Sequence, residues 1–218
     1  MNNAYALLAD QNAHGGSSAC CVISCFIAKH TLRWKEKPSR LQIDRIVKEG
    51  SEAWQEMQAG FLSPDQVLAQ LPELAMLRIR KTYHALVTGE MRDDAGYRVA
   101  YDARAVVFKW LRKHDNDSVA IVTRSGYTFV IFVHNSVYCI VDSHHDVLTQ
   151  RKAAIDRTMR LQEENRETSG AFLEMFFPKD VADYVVNFIP AIETDPRRLV
   201  TSNELEISIV ELRPDAYL

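Results

Sequence analysis

The sequence predicts an α+β protein, with a helical N-terminal part packed on a later antiparallel sheet. Three observations carry this. Apolar residues recur at helical spacing from Cys20 to about Met57. Three apolar segments follow in close succession between Ser118 and Val141, parted only by Ser125-Gly126 and Asn135-Ser136, which read as tight antiparallel turns. Helices first and strands later, rather than strict alternation of the two, is an α+β order.

Residues 20–31 read as a helix, with Val22, Ile23, Phe26 and Ile27 as its apolar stripe and Ser17 and Ser18 offering N-cap oxygens just upstream. Residues 39–59 carry a second helical pattern through Leu41, Ile43, Ile46, Val47, Ala53, Trp54 and Met57, and Gly50 is a point where it could divide in two. Ser63-Pro64-Asp65 is a cap with proline at the first helical position, opening a short helix to about Leu71. Residues 74–88 alternate like a strand at Leu77, Ile79, Lys81 and Tyr83, and residues 99–113 read as a helix with Val106, Val107, Trp110 and Leu111 inward. The three expected strands are Ser118–Arg124, Tyr127–Val133 and Val137–Val141. Residues 146–169 are highly charged and nearly free of bulky apolar side chains, which suits an exposed insertion. Gly170–Phe177 is amphipathic, Pro178 starts a helix through Val181, Val185 and Phe188, and Leu205–Leu212 is a final strand. Residues 190–203 are polar, contain two prolines and read as a surface segment.

Bulk properties narrow the class. With 218 residues and 47% hydrophobic content, one domain spanning 1–218 is expected. A net charge of −3 with 25% charged residues argues against nucleic acid as a partner. No apolar run reaches the roughly 18 residues that span a bilayer, and the polar N-terminus lacks a secretory pattern, so no membrane association is expected. Three of the four cysteines (Cys20, Cys21, Cys25 and Cys139) lie within six residues, poor spacing for a disulfide framework; a reducing, cytoplasmic setting is expected. Adjacent cysteines with a third four residues on match no common zinc-finger spacing, so neither metal nor cofactor is expected.

The chemistry-bearing residues fall in two stretches. Gln11-Asn-Ala-His-Gly-Gly-Ser-Ser-Ala-Cys20-Cys21 puts a cysteine where a glycine- and serine-rich loop meets an apolar helix. A thiol attacks as the thiolate, and its ordinary pKa is about 8.5. A helix N-terminus carries roughly half a positive charge and presents free N–H groups, which favour a thiolate and can hold an oxyanion. Cys20 or Cys21 is therefore the candidate nucleophile, whereas Cys25, further into the helix, and Cys139, inside an apolar strand, read as core. The second stretch, Val137-Tyr-Cys-Ile-Val-Asp142-Ser-His144-His145, ends an apolar strand in Asp-x-His. Residues two apart on a strand share a face, so Asp142 could orient and charge-balance His144 as a base. His145 points the other way, and His134, which also ends an apolar strand, has no carboxylate two residues off. His14 lies in the N-terminal loop.

At these residues the chain resembles the herpesvirus tegument deubiquitinase family and its viral-tegument-like relatives outside viruses, which are papain-like cysteine proteases. Members have an early glutamine, a cysteine opening a helix, and a late strand ending in a Phe-Asp-Ser-His type motif. Val141-Asp142-Ser143-His144 is similar, with valine for phenylalanine. The run from Arg124 to Val130 resembles the strand leading into that hairpin, Gly170–Phe176 the small-residue segment before the last helices, and Gly60-Phe61 with Trp54 the middle region. The departures are a nine-residue step from Gln11 to Cys20, Ser17-Ser18-Ala19 in place of the Gly-x-x-Cys lead-in, and the paired cysteines.

The resemblance implies a papain-like fold in a monomer that cleaves after the C-terminal Gly-Gly of ubiquitin or ubiquitin chains. It implies Cys20 as nucleophile, with Cys21 as the alternative; Ser24, four residues after Cys20, fits the spacing found in many papain-like enzymes. It implies His144 as base, Asp142 as its orienting acid and Gln11 as the oxyanion amide, with Asn12 the alternative amide. Gly15 and Gly16 could wall a narrow channel for a diglycine tail, and Trp54 or Tyr127 could cover it. Such an enzyme could act in its own cell or be delivered into a host's. The rival readings are the same triad acting on another ubiquitin-like modifier, a peptide or an acyl acceptor, and a ubiquitin-binding module with an inert cleft.

Overall fold

The computed structural model describes residues 5–6, 15–16, 18–58, 60–86, 101–102, 117–124, 126–143, 172–176, 181 and 204–215. Helix α1 (Cys20–Trp34) is its centre. Every residue from Cys20 to Ala28 is buried, so this helix is enclosed on all sides rather than amphipathic. Ala19, not a serine, occupies its N-cap position, in a right-handed conformation with no side-chain cap. Ser18 does not stand at the N-cap position, because the chain turns tightly here: the Ala19 N–H donates to the Gly16 carbonyl at 2.9 Å, while Ser17 lies outside the described residues.

Helix α2 (Arg40–Met57) runs unbroken through Gly50. The break anticipated there is absent for a packing reason. A Cβ at Gly50 would stand 2.8 Å from Ile23 Cγ1 and 2.9 Å from Ile23 Cα, so the glycine is where α2 lies directly against α1. A capping box starts α2: the Gln42 N–H donates to Ser39 Oγ, and the Ser39 N–H donates to Gln42 Oε1. Ser63 and Gln66 repeat the device at α3 (Pro64–Gln70), with proline at the expected first position.

The strands are β1 (Tyr5–Ala6), β2 (Leu77–Leu86), β3 (Tyr101–Asp102), β4 (Ser118–Arg124), β5 (Tyr127–His134), β6 (Val137–Asp142), β7 (Phe172–Phe176) and β8 (Glu204–Leu212). They form one sheet in the order β1-β7-β6-β5-β4-β8-β2-β3. All pairings are antiparallel except β2 with β3. The last strand, β8, enters the middle of the sheet between β4 and β2, closing the chain's two halves together. Tyr101–Asp102, expected in a helix, is strand; the rest of 99–113, the charged segment 146–169, residues 190–203 and the helix after Val181 lie outside the described residues.

Alternation along the strands assigns the faces. Val119 and Ile121 of β4, Val130 and Phe132 of β5, Cys139 and Val141 of β6 and Val210 of β8 share one core with α1, α2 and α3. The opposite face is buried too, in rows such as Ile207–Val122–Phe129 and Ile209–Ala120–Ile131–Ile140. Burial on both faces explains why these strands read as continuous apolar runs.

Candidate active site

Cys20 is the first residue of α1. The N-cap residue Ala19 makes no side-chain cap, and the first-turn N–H groups of a helix point beyond its end, where an anion would be held. The Cys20 thiol donates to the carbonyl of Gly126, 3.5 Å away. Gly126 adopts φ +81° in the two-residue connection between β4 and β5, a conformation that suits glycine. The helix therefore points its N-terminus at the rim of the sheet where β5 begins.

The neighbouring thiol differs. Cys21 is buried, and its hydrogen bond with Cys25, followed by burial itself, pushes its pKa well up. Negative charge on Cys25, Cys20 or Glu206 would push it the same way. Burial also pushes the Cys139 thiol up to about 11. Both are held protonated near neutral pH. All four cysteines are free thiols.

Asp142 ends β6 directly opposite Phe129, in the apolar row Ile207–Val122–Phe129. It is completely buried, where a hydrophobic residue would suit the row. An aspartate kept in such a place is a functional signal, since a carboxylate loses its hydration there. The next row toward the rim is Leu205–Arg124–Tyr127, in which Arg124 is also buried and its guanidinium pKa is lowered by that burial. On the α1 side the rim carries Glu206, Thr123 and Thr128, whose hydroxyls lie 3.2 Å apart. Alternation puts Asp142 on the face away from the α1 core, whereas Cys20 lies on the α1 side. His144, His145, His14, Gln11 and Asn12 lie outside the described residues. His134 ends β5 at the far end of the hairpin from Gly126 and bonds its neighbour Asn135, so it is remote from Cys20.

Of the residues expected to line a channel, Gly15 and Gly16 stand just before α1, Trp54 on α2 and Tyr127 at the start of β5. A Cβ at Gly15, whose φ is +73°, would stand 2.6 Å from Gln55 Nε2, and one at Gly16 would stand 2.7 Å from Ser51 Oγ. These two glycines thus lie against α2. From the same face of α2, the Trp54 indole N–H donates to the Gly60 carbonyl at 3.2 Å. The next residue, Phe61, lays its ring on Gly126, with Cε1 3.3 Å from where a Cβ there would be. Tyr127 follows, partly exposed. Phe61, Gly126 and Arg124 were not singled out as site residues. An exposed phenylalanine next to a glycine is a weak local signal, and only the fold reveals that its ring meets a turn 65 positions away. Among the described residues no three His, Cys, Asp or Glu side chains gather to hold a metal, and no helix is long and apolar enough to cross a membrane.

No protein-family model and no curated protein sequence matches this chain. Its fold, however, is shared with a solved structure: the ubiquitin-specific protease encoded by murine cytomegalovirus tegument protein M48, in complex with a ubiquitin-based suicide substrate. The TM-score is 0.62 at 13% sequence identity, over 98% of this chain and 88% of that one. The class is therefore an α+β fold, helices on an antiparallel sheet, of a kind that this viral ubiquitin-specific protease also adopts.

Proposed function

We propose that this protein is a deubiquitinase, a papain-like cysteine protease that hydrolyses the peptide or isopeptide bond after the C-terminal Gly-Gly of ubiquitin. One observation carries the reading. Cys20, at the start of α1, meets the turn that leads into β5, and the strand paired with β5 ends at Asp142, which Ser143 and His144 follow in the sequence. The β5–β6 register sets Phe129 opposite Asp142, near the start of β5 where the Gly126 carbonyl meets the Cys20 thiol. In this reading His144, two positions after Asp142 in the sequence, is the base and Asp142 orients it. The likeness to the M48 protease supports the same conclusion at the level of the fold.

In this mechanism His144 takes the Cys20 proton and the thiolate attacks the carbonyl carbon of ubiquitin's last glycine. The first-turn N–H groups of α1, with the Gln11 amide, hold the oxyanion. His144 returns the proton to the departing lysine amine, leaving a thioester that water hydrolyses. Cys20 is preferred to Cys21 because the Cys21 thiol is held protonated by Cys25 and by burial. Gly15, Gly16, Trp54 and Tyr127 border the path of the diglycine tail. Free thiols throughout are in keeping with a reducing compartment such as the cytoplasm.

The test is a ubiquitin probe carrying a C-terminal electrophile, with the adduct located by mass spectrometry. The expected adduct is on Cys20. A folded wild-type protein that does not react would remove the reading, and labelling lost in Cys21→Ala but kept in Cys20→Ala would move the nucleophile. The near-complete burial of Cys20 favours one rival, a ubiquitin-binding module with an inert cleft; ubiquitin binding without any adduct would establish it.

A further inference from the structure

Cys20 is placed for chemistry and at the same time closed off from it. The residue is only 1% exposed, and its thiol proton is committed to the Gly126 carbonyl. Nucleophilic attack needs a carbonyl carbon at about 3–3.5 Å from the sulfur, and nothing the size of a peptide reaches a sulfur covered in this way.

The cover can be named. Gly126 supplies the carbonyl, and the Phe61 ring lies against the backbone of Gly126 from outside. Phe61 is itself 70% exposed, so its ring contributes little to the core; its close contact is with this turn. The loop that carries it leaves α2 through Gln58 at φ +48° and is tied back by the bond from Trp54 to the Gly60 carbonyl. A Cβ added at Gly60 would meet nothing within 4 Å. The thiol hydrogen bond to Gly126 and the Phe61 ring contact with the same residue are each weak, and elements held by such contacts open locally without unfolding.

We propose that Phe61 is a positioning residue for Cys20: pressed on Gly126, it keeps the β4–β5 turn over the sulfur until an incoming chain lifts ring and turn together. No covalent step is involved. One S–H···O contact breaks, and the proton stays on sulfur until a base takes it. The consequence is selectivity by induced fit. A folded modifier with contacts remote from its tail can supply the opening energy, whereas a short peptide ending in the same residues has little to spend on it. This deepens the deubiquitinase reading and rests on it for its meaning, but its test does not.

The test is the rate of iodoacetamide alkylation at each cysteine of the full chain, resolved by tandem mass spectrometry, in wild type, Phe61→Ala, Phe61→Tyr and Gly126→Ala. Cys139 serves as the buried reference, and melting temperature is recorded for each. Cys20 is expected to alkylate about tenfold faster in Phe61→Ala than in wild type, while Phe61→Tyr, which keeps the ring, stays near wild type. Gly126→Ala, whose Cβ would displace the ring, is expected to open the cover from the other side. Equal Cys20 rates in wild type and folded Phe61→Ala overturn the proposal, as does an acceleration that Cys139 shares. Should Phe61→Ala not fold, Gly126→Ala decides by the same criteria. A wild type that ignores the ubiquitin probe but shows the tenfold ratio would remove the deubiquitinase reading and leave the cover standing.

Discussion

Gly50→Ala tests whether the α1–α2 seam is what orders the site. In an exposed helix, alanine for glycine is favourable by about 1 kcal/mol. Here the added methyl would meet Ile23 Cγ1 at 2.8 Å, Ile23 Cα at 2.9 Å and the Ile23 nitrogen at 3.2 Å. Two of those atoms are backbone and cannot rotate away, so the helices must part. Overpacking of this kind costs about 1–3 kcal/mol, and contacts under 3 Å to backbone place it at the upper end. The net expectation is a loss of about 1–2 kcal/mol, or roughly 2–8 °C in melting temperature for a chain of this size. The assay is thermal unfolding followed by circular dichroism, with Glu49→Ala, at the exposed neighbouring position, as a control expected to stay within about 0.5 kcal/mol. A Gly50→Ala protein that melts at or above wild type would refute the argument, because the glycine would then be only a weak point in α2. The same substitution should also slow probe labelling, since parting α1 from α2 loosens the Gly16–Ser51 contact that seats the start of α1.

Three further outcomes are expected. Ser63→Ala removes the oxygen that caps α3 and should cost about 1 kcal/mol in chemical denaturation; no loss would mean the capping box contributes nothing there. Burial holds the His30 pKa below its ordinary value, with Glu36 opposing the shift. The unfolded chain therefore takes up that proton first, so the contribution is intact above about pH 6.5 and is lost as pH falls below it. His30→Gln should flatten the fall in melting temperature between about pH 7 and 5.5, and parallel profiles for the two proteins would refute this. Asp142→Asn keeps the shape of a buried residue but removes its charge; turnover of a ubiquitin substrate should drop by about 10²- to 10⁴-fold with folding retained, and unchanged turnover would strip Asp142 of its orienting role.

How much of this was legible depended on range. The capping serine at Ser63 and the helical pattern of α2 are written within a few residues of where they act, and both appear as expected. The strands β4, β5 and β6 were found almost to the residue because turn residues punctuate them; Asn135 and Ser136 both adopt positive φ, as a tight hairpin turn requires. Gly50 misled for the opposite reason. Its local meaning is a weak helix, but its actual role is set by Ile23 on another helix. The α1 cap misled similarly: serines near a helix start are common caps, but the turn from Gly16 to Ala19 decides which residue stands at the boundary. Two-residue strands such as Tyr101–Asp102 exist only because a neighbour pairs with them, and nothing in their own residues announces it.

The site divides along the same line. The residues proposed for its chemistry, Cys20 and Asp142, stand out because their types are unusual in their settings: a thiol at a glycine-serine lead-in, a carboxylate ending an apolar strand. What the sequence does not carry is the contact between Cys20 and Gly126. That glycine is 106 positions from Cys20, and its carbonyl meets the sulfur only because β4 and β5 bring their turn to the start of α1. The turn residue thus acts twice. Its positive φ closes the β4–β5 connection, and the same bend aims a carbonyl at the thiol. Any residue with a side chain would be strained at that φ and would push on Phe61. A position under both demands is one where substitution should disturb reactivity before it disturbs stability, since the core rows of the sheet begin only two residues further along β5, at Thr128 and Phe129.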